Sequence, residues 1–285
     1  MNDASRIGIP NDRKWLIVHA DDFGMAHSIN VATWWALEQG HVTSASVMVP
    51  CPWSAEAMGL WRQRPSADIG VHVTLTSEWP LYKWRPLSSP AKSSGLVDAY
   101  GNFHSNRHCI AGVEPDFIET EIEAQIEFVL STGLVPSHID CHMFSAFVTT
   151  ATCACYCRAA CRAHVRCILP LHYDCVCSTV RGEEPEADMR VRVNVHQIGI
   201  DVPPDIWEAA YIGILRSLGY GLNVLIVHLG YDNGELRCVT GNQRPWGAAW
   251  RQRDLDVVSG PAFKAEVRGN SIVLTNWRDL IAKHW

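Results

Sequence analysis

Two adjacent carboxylates, Asp21 and Asp22, close a strand-forming run in the segment WLIVHADDFG, Trp15 to Gly24. The six mostly apolar residues Trp15 to Ala20 include β-branched Ile17 and Val18, and the run breaks at the two acids before Phe23 and a turn-capable Gly24. A carboxylate pair at the end of a buried strand is costly to desolvate, and each acid raises the other's pKa unless a cation neutralises them. A metal ion is the simplest explanation. Neighbouring strand residues point to opposite faces, so both acids reach one site only where the chain turns out of the strand, a turn assigned to Phe23-Gly24. Asp22 then reads as a ligand and Asp21 as a nearby acid or base. The alternative is that one of the acids N-caps the helix expected over Met25 to Gln39.

Further candidate strands end in ligand-type side chains. In IGVHVTL, His72 faces away from Val71 and Val73, as a ligand or as a hydrogen-bonded core histidine. In PSHIDCHM, His138, Asp140 and His142 alternate onto one face. At about 3.3 Å per residue, His138 and His142 stand roughly 13 Å apart, too far to share one ion. His142, at the C-terminal rim with Asp21 and Asp22, is the ligand chosen; His138 lies deeper, supporting the site or filling the core. His228, in NVLIVHLG, ends the last strand at the same rim. Packing alone does not explain four strands that bring polar residues to one end.

The elements that must position these groups recur in order. Strand-like runs at Trp15 to Ala20, Ser44 to Val49, Ile69 to Leu75, Ser137 to Met143, Val165 to Leu171, Arg192 to Ile198 and Asn223 to Leu229 alternate with helical stretches. One of these, Pro115 to Leu130, carries Ile118, Ile122, Ile126 and Val129 at helical spacing and stops at Gly133. The alternation predicts an α/β fold with a parallel sheet closed, or nearly closed, into an irregular seven-stranded (β/α) barrel of TIM-like type. One domain over residues 1–285 is expected, with a long insertion at about 77–112 and a charged loop at Ser178 to Asp188. In a barrel, insertions after strands sit on the rim of the active site.

The 285 residues are 47% hydrophobic and 19% charged, an ordinary balance for a chain with a sizeable core. A net charge of −6 without a long basic cluster argues against nucleic acid as a partner. No apolar run is long enough to span a bilayer, and the first fourteen residues lack the apolar core of a signal peptide, so a cytoplasmic protein is expected. Seven of the eleven cysteines fall between Cys153 and Cys177. Cys153, Cys157 and Cys161 share one helical stripe, which favours core packing over a thiolate metal site, and no disulfide framework is expected.

Taken together, HADDFGM at 19–25, VTSASVMV at 42–49, GVHVTLTSEW at 70–79, EAQIEF at 123–128, PSHIDCHM at 136–143, IVHLG at 226–230 and LTNWRDL at 274–280 resemble the YdjC-like family. Its best-known members are chitooligosaccharide deacetylases, relatives of the polysaccharide deacetylases. The resemblance implies a barrel-like α/β fold, a divalent metal on an Asp-His-His set, and hydrolysis of an N-acetyl group on an amino sugar. It puts the ligands on Asp22, His72 and His142 and the catalytic base on Asp21. Two departures mark this chain: His228-Leu229 stands where the family often has His-Pro, and Met143-Phe144-Ser145 replaces a histidine-rich continuation.

The implied chemistry is metal-assisted amide hydrolysis, with Asp21 taking the proton of water and His228 protonating the departing amine. The ligand set suits Mg or Zn, with Mn and Co also compatible. A metallohydrolase of another amide or a phosphoester is the alternative; a catalytically silent sugar-binding protein has no need of a spare acid beside its ligand. Trp79, Tyr82, Trp84 and Phe103 are candidates for sugar stacking and Arg85 for an anionic group, unless the insertion packs its own aromatics over the barrel. A homodimer is expected at the family level, with Trp246, Trp250 or Trp285 as surface markers.

Overall fold

The computed structural model describes residues 12–90, 94–173, 189–241 and 245–284. The charged loop at Ser178 to Asp188, Cys175, Cys177 and Trp285 lie outside them. All seven apolar runs form strands: β1 (Lys14–Phe23), β2 (Ser44–Val47), β3 (Ile69–Val73), β4 (His138–Cys141), β5 (Arg166–Pro170), β6 (Arg190–His196) and β7 (Gly221–Val227). Every pairing is parallel, and β1 joins both β7 and β2, which closes a seven-stranded barrel with helices between its strands.

An eighth strand, β8 (Ile272–Leu274), was not foreseen. It pairs with the first three residues of β1, whereas β2 takes the far end of the same edge at His19, Ala20 and Phe23. Three residues leave too short a pattern to read from sequence.

Side-chain alternation separates two environments. Leu16, Val18 and Ala20 of β1, Ala45 and Val47 of β2, and Val71 and Val73 of β3 join the large outer core. Ile17 joins a second cluster with Val224, Ile226 and Trp277. The intervening residues of the strands, His19, Ser44, Ser46, His72, His138 and Asp140, touch one another across the barrel.

The two acids occupy an irregularity in β1. The β1–β2 register shifts between Ala20 and Phe23, and Asp22 adopts φ 67, a left-handed conformation that Asp tolerates better than most residues. The strand bulges at Asp22 and then turns out through Phe23-Gly24 as expected, with Met25 N–H donating to Asp22 O at 3.1 Å and Gly24 at φ 97, and the bulge aims both carboxylates at one rim. Neither acid caps the next helix, α1 (His27–Glu38), whose N-cap is Ala26. The cap comes from Glu235, which accepts from the backbone N–H of His27 at 3.0 Å and of Ser28 at 2.8 Å.

Helices α2 (Ser54–Gln63), α3 (Pro115–Ser131), α4 (Thr150–Arg162), α5 (Trp207–Ser217), α6 (Gly234–Thr240), α7 (Ala248–Ser259), α8 (Pro261–Gly269) and α9 (Trp277–His284), with short 3-10 helices at Arg107–Gly112, His142–Phe147 and Pro204–Ile206, complete the described elements. On α4, Cys153, Cys155 and Cys157 are buried in the outer core and Cys161 is half-buried, in keeping with cysteine as a small apolar side chain. Trp79, Trp84 and Phe103 of the insertion are buried too, so these three pack the loop and leave no free ring for a sugar. Tyr82 donates its hydroxyl to Met25 O at 2.6 Å, and Arg85 reaches Asn102. Trp250 is buried as well, edge-on to Trp207, and marks no dimer surface.

Inside the barrel, Gly70 is required by contact. A Cβ there would stand 2.6 Å from the His138 ring and from its carbonyl oxygen. Gly70→Ala should cost about 1–3 kcal/mol in denaturant unfolding. Gly213, mid-helix in α5 with open space around it, is the control: Gly213→Ala should gain about 0.5–1 kcal/mol.

Candidate metal centre

The C-terminal rim of the barrel brings Asp22, His72 and His142 together: one potential ligand atom from each lies within 4.8 Å of the other two, and all three residues are buried. Asp22 comes from the β1 bulge and His72 from β3. His142 follows β4, where the chain reverses through left-handed Met143 and Phe144, both at φ 52. His72 Nε2 stands 3.4 Å and His142 Nδ1 3.1 Å from Asp22 Oδ1. No donor is assigned to Asp22 Oδ1, and His72 Nε2 has no hydrogen-bond partner.

The outward nitrogens set what the inward ones present when the rings are neutral. Parallel register sets His72 beside Asp140, and His72 Nδ1 donates to Asp140 Oδ1 at 2.9 Å. His142 Nε2 donates to Glu78 Oε2 at 3.0 Å. A neutral imidazole with one N–H committed to a carboxylate has only a lone pair on its other nitrogen. Two such lone pairs and a carboxylate oxygen therefore face one another in a buried space, a repulsive arrangement that a cation relieves. Two imidazoles and a carboxylate suit a divalent ion.

Without that cation, protons fill the role. Burial disfavours charge on both rings, yet Asp140 and Asp21 raise the His72 pKa well above its ordinary value, and Glu78 and Asp22 carry His142 up to about 9. Burial also works against the Asp22 carboxylate, but Arg251 and the two histidines hold its pKa well below the usual range. Arg251, from α7, places Nη2 2.6 Å from Asp22 Oδ2, with both side chains almost fully buried.

Asp21 and His228 flank this group. Burial pushes Asp21 up to about 7, with His72 opposing, and its Oδ1 has no hydrogen-bond partner. His228 Nε2 lies 3.9 Å from Asp21 Oδ2, and burial pushes the ring down to about 3. The His228 backbone N–H donates to Asp254 Oδ2 at 3.1 Å, while Asp254 Oδ1 accepts from Trp207 and Tyr211. His138 sits deeper, its ring 5.2 Å from His19 and 5.4 Å from Trp277, away from the Asp22 group.

A cleft of about 460 Å³ opens over the centre, lined by Asp21, Asp22, His142 and His228 and by the rings of Phe144, Tyr173 and Trp246. Several residues that complete the site escaped sequence reasoning. Glu78 lies inside GVHVTLTSEW with no local sign of the histidine it orients, whereas Asp140, singled out on the face of His138 and His142, takes the supporting role beside His72. Arg251 and Asp254 lie on a helix more than 200 residues from Asp22 in the chain.

The fold and site define a (β/α) barrel whose rim holds a buried Asp-His-His group. The family model described as YdjC-like protein matches residues 15–268, and the chain belongs to that family. A carbohydrate deacetylase from Thermoanaerobacter pseudethanolicus is 35% identical over 273 residues, 93% of this chain and 98% of that one. A carbohydrate deacetylase from Geobacillus stearothermophilus is 35% identical over 129 residues, 45% of this chain and 49% of that one. Among solved structures, a candidate cellobiose-phosphate cleavage protein from Enterococcus faecalis V583 has a TM-score of 0.76 at 21% identity, over 94% of this chain and 99% of that one, a likeness of fold.

The Arg251–Asp22 pair makes a prediction of its own. Removing one partner of a buried pair strands the other, so Arg251→Met should lower the unfolding free energy in chelator by about 3–5 kcal/mol. A divalent cation should recover part of that loss, read from denaturant midpoints with and without metal.

Proposed function

We propose that this protein is a metal-dependent hydrolase that removes an N-acetyl group from an amino sugar. The observation that carries the reading is the meeting of His72 Nε2 and His142 Nδ1 at Asp22 Oδ1, with Asp21 Oδ2 3.8 Å from His72 Nε2. Support for the substrate comes from kinship with proteins named carbohydrate deacetylase. Asp22, His72 and His142 would hold one divalent cation, Mg or Zn, with Mn or Co also compatible. Such an ion, when bound, polarises the acyl oxygen and lowers the pKa of water.

The chain's own groups then divide the proton work. Asp21 Oδ2, which faces His72 Nε2 at 3.8 Å and His228 Nε2 at 3.9 Å, takes the proton of the attacking water. His228 enters neutral, since burial keeps its pKa low, and so must acquire the proton it delivers to the departing amine. Asp21 Oδ2, 3.9 Å from His228 Nε2, is the adjacent source. Base and acid thus act as successive stations on one path, from water to Asp21 to His228 to the amine. Asp254 fixes the backbone that carries His228, and Glu78 and Asp140 hold the two ligand imidazoles in their tautomers.

Three variants test these roles. Asp22→Ala and His142→Ala should lose both metal binding, by calorimetry, and acetate release. Asp21→Asn should keep the metal and lose turnover by about 10²–10⁴-fold; an Asp21→Asn protein with wild-type acetate release removes the base assignment. Glu78→Gln, which keeps the shape of a side chain that touches His142, should fold normally and weaken the divalent ion by about 10–100-fold.

A further inference from the structure

We infer that Trp246 forms a sugar-stacking subsite for the amine-bearing half of the substrate, an assignment that rests on the deacetylase reading above. The amine that leaves in such a reaction stays on the sugar, and the group set to protonate it is His228. The sugar ring must therefore lie on the His228 side of the cleft. The aromatic ring found there is Trp246, with its centroid 6.4 Å from that of His228.

Three features of Trp246 fit a platform. It borders the cleft and is 36% exposed, in contrast to Trp79 on the same cleft and to its neighbour Trp250, both 2% exposed. It is backed: Trp250 packs against it at 5.8 Å, and Trp207 meets Trp250 edge-on at 4.5 Å. A tryptophan backed on one side by another ring and partly open to solvent offers a flat apolar surface, which suits the axial C–H face of a pyranose. It is also held in a left-handed conformation, φ 61, that bulky residues rarely adopt and that marks positions fixed for function.

What holds that conformation ties the platform to the metal centre. Arg251 Nε donates to the Trp246 carbonyl at 2.8 Å, and Nη2 of the same guanidinium pairs with Asp22 Oδ2 at 2.6 Å. One rigid planar group thus sets the distance between the carboxylate of the proposed metal centre and the ring of the proposed sugar subsite.

Metal-loaded wild type, Trp246→Ala and Trp246→Phe are compared on N-acetylglucosamine and its β-1,4-linked dimer, with kcat and KM from acetate release and sugar binding from saturation-transfer NMR. The expected result is a KM about tenfold higher in Trp246→Ala with kcat within about threefold, loss of transfer to the sugar ring protons, and near-complete rescue by Phe. A Trp246→Ala protein with wild-type KM and wild-type transfer overturns the subsite while leaving the deacetylase reading intact. Sugar binding that depends on Trp246 with no acetate release from these or any other acetylated sugar sinks the deacetylase reading and leaves Trp246 as a sugar-binding ring only. Failure of wild type to bind either sugar overturns the subsite outright.

Discussion

Asp22 is a carboxylate with almost no contact with solvent, and the surrounding structure is arranged around meeting its charge. A buried carboxylate left uncompensated costs several kcal/mol. One oxygen is met by Arg251; the other faces two imidazole nitrogens, His72 Nε2 and His142 Nδ1, that carry lone pairs whenever the rings are neutral. That asymmetry is the physical content of the site. If the two rings were there only to satisfy Asp22, their N–H groups would point inward; Asp140 and Glu78 draw those N–H groups the other way.

The barrel makes this arrangement possible by dividing its strands. Outward residues of β1, β2 and β3 supply the apolar contacts with the helices, which frees the inward positions for a polar column of His19, Ser44, Ser46, His72, His138 and Asp140. Serines 44 and 46 are small enough to let the histidines interlock, and Gly70 leaves room for the His138 ring. The bulge at Asp21-Asp22 then lets two consecutive residues act at one rim, which a regular strand forbids. Closure of β1 against β2, β7 and β8 anchors that bulge from both edges.

The strands were legible because each is an apolar run with period-two interruptions, and those interruptions are the polar residues of the column. The same alternation placed His72 opposite its valines and set His142 apart from His138. What could not be read was any relation between distant elements. Arg251 looks like an ordinary charged helix residue until the fold sets it beside Asp22, and Glu235 gives no sign that it caps a helix 200 residues earlier. Burial was equally opaque: Trp79, Trp84, Phe103 and Trp250 have the composition of a sugar-binding or dimer surface, and the structure buries all four. Trp246, grouped with them by residue type, remains at the cleft because its carbonyl is held by Arg251.

The central claim is that the Asp22, His72 and His142 group binds one divalent ion on which acetate release depends. Chelator-stripped protein titrated with Zn, Mn, Co or Mg, with bound metal and acetate release from acetylated amino sugars followed in the same sample, addresses it most directly. The account predicts saturation at one ion per chain, with acetate release rising in proportion to occupancy for at least one metal. Acetate release at full rate from metal-free protein, or stoichiometric metal with no release from any acetylated sugar, would contradict it.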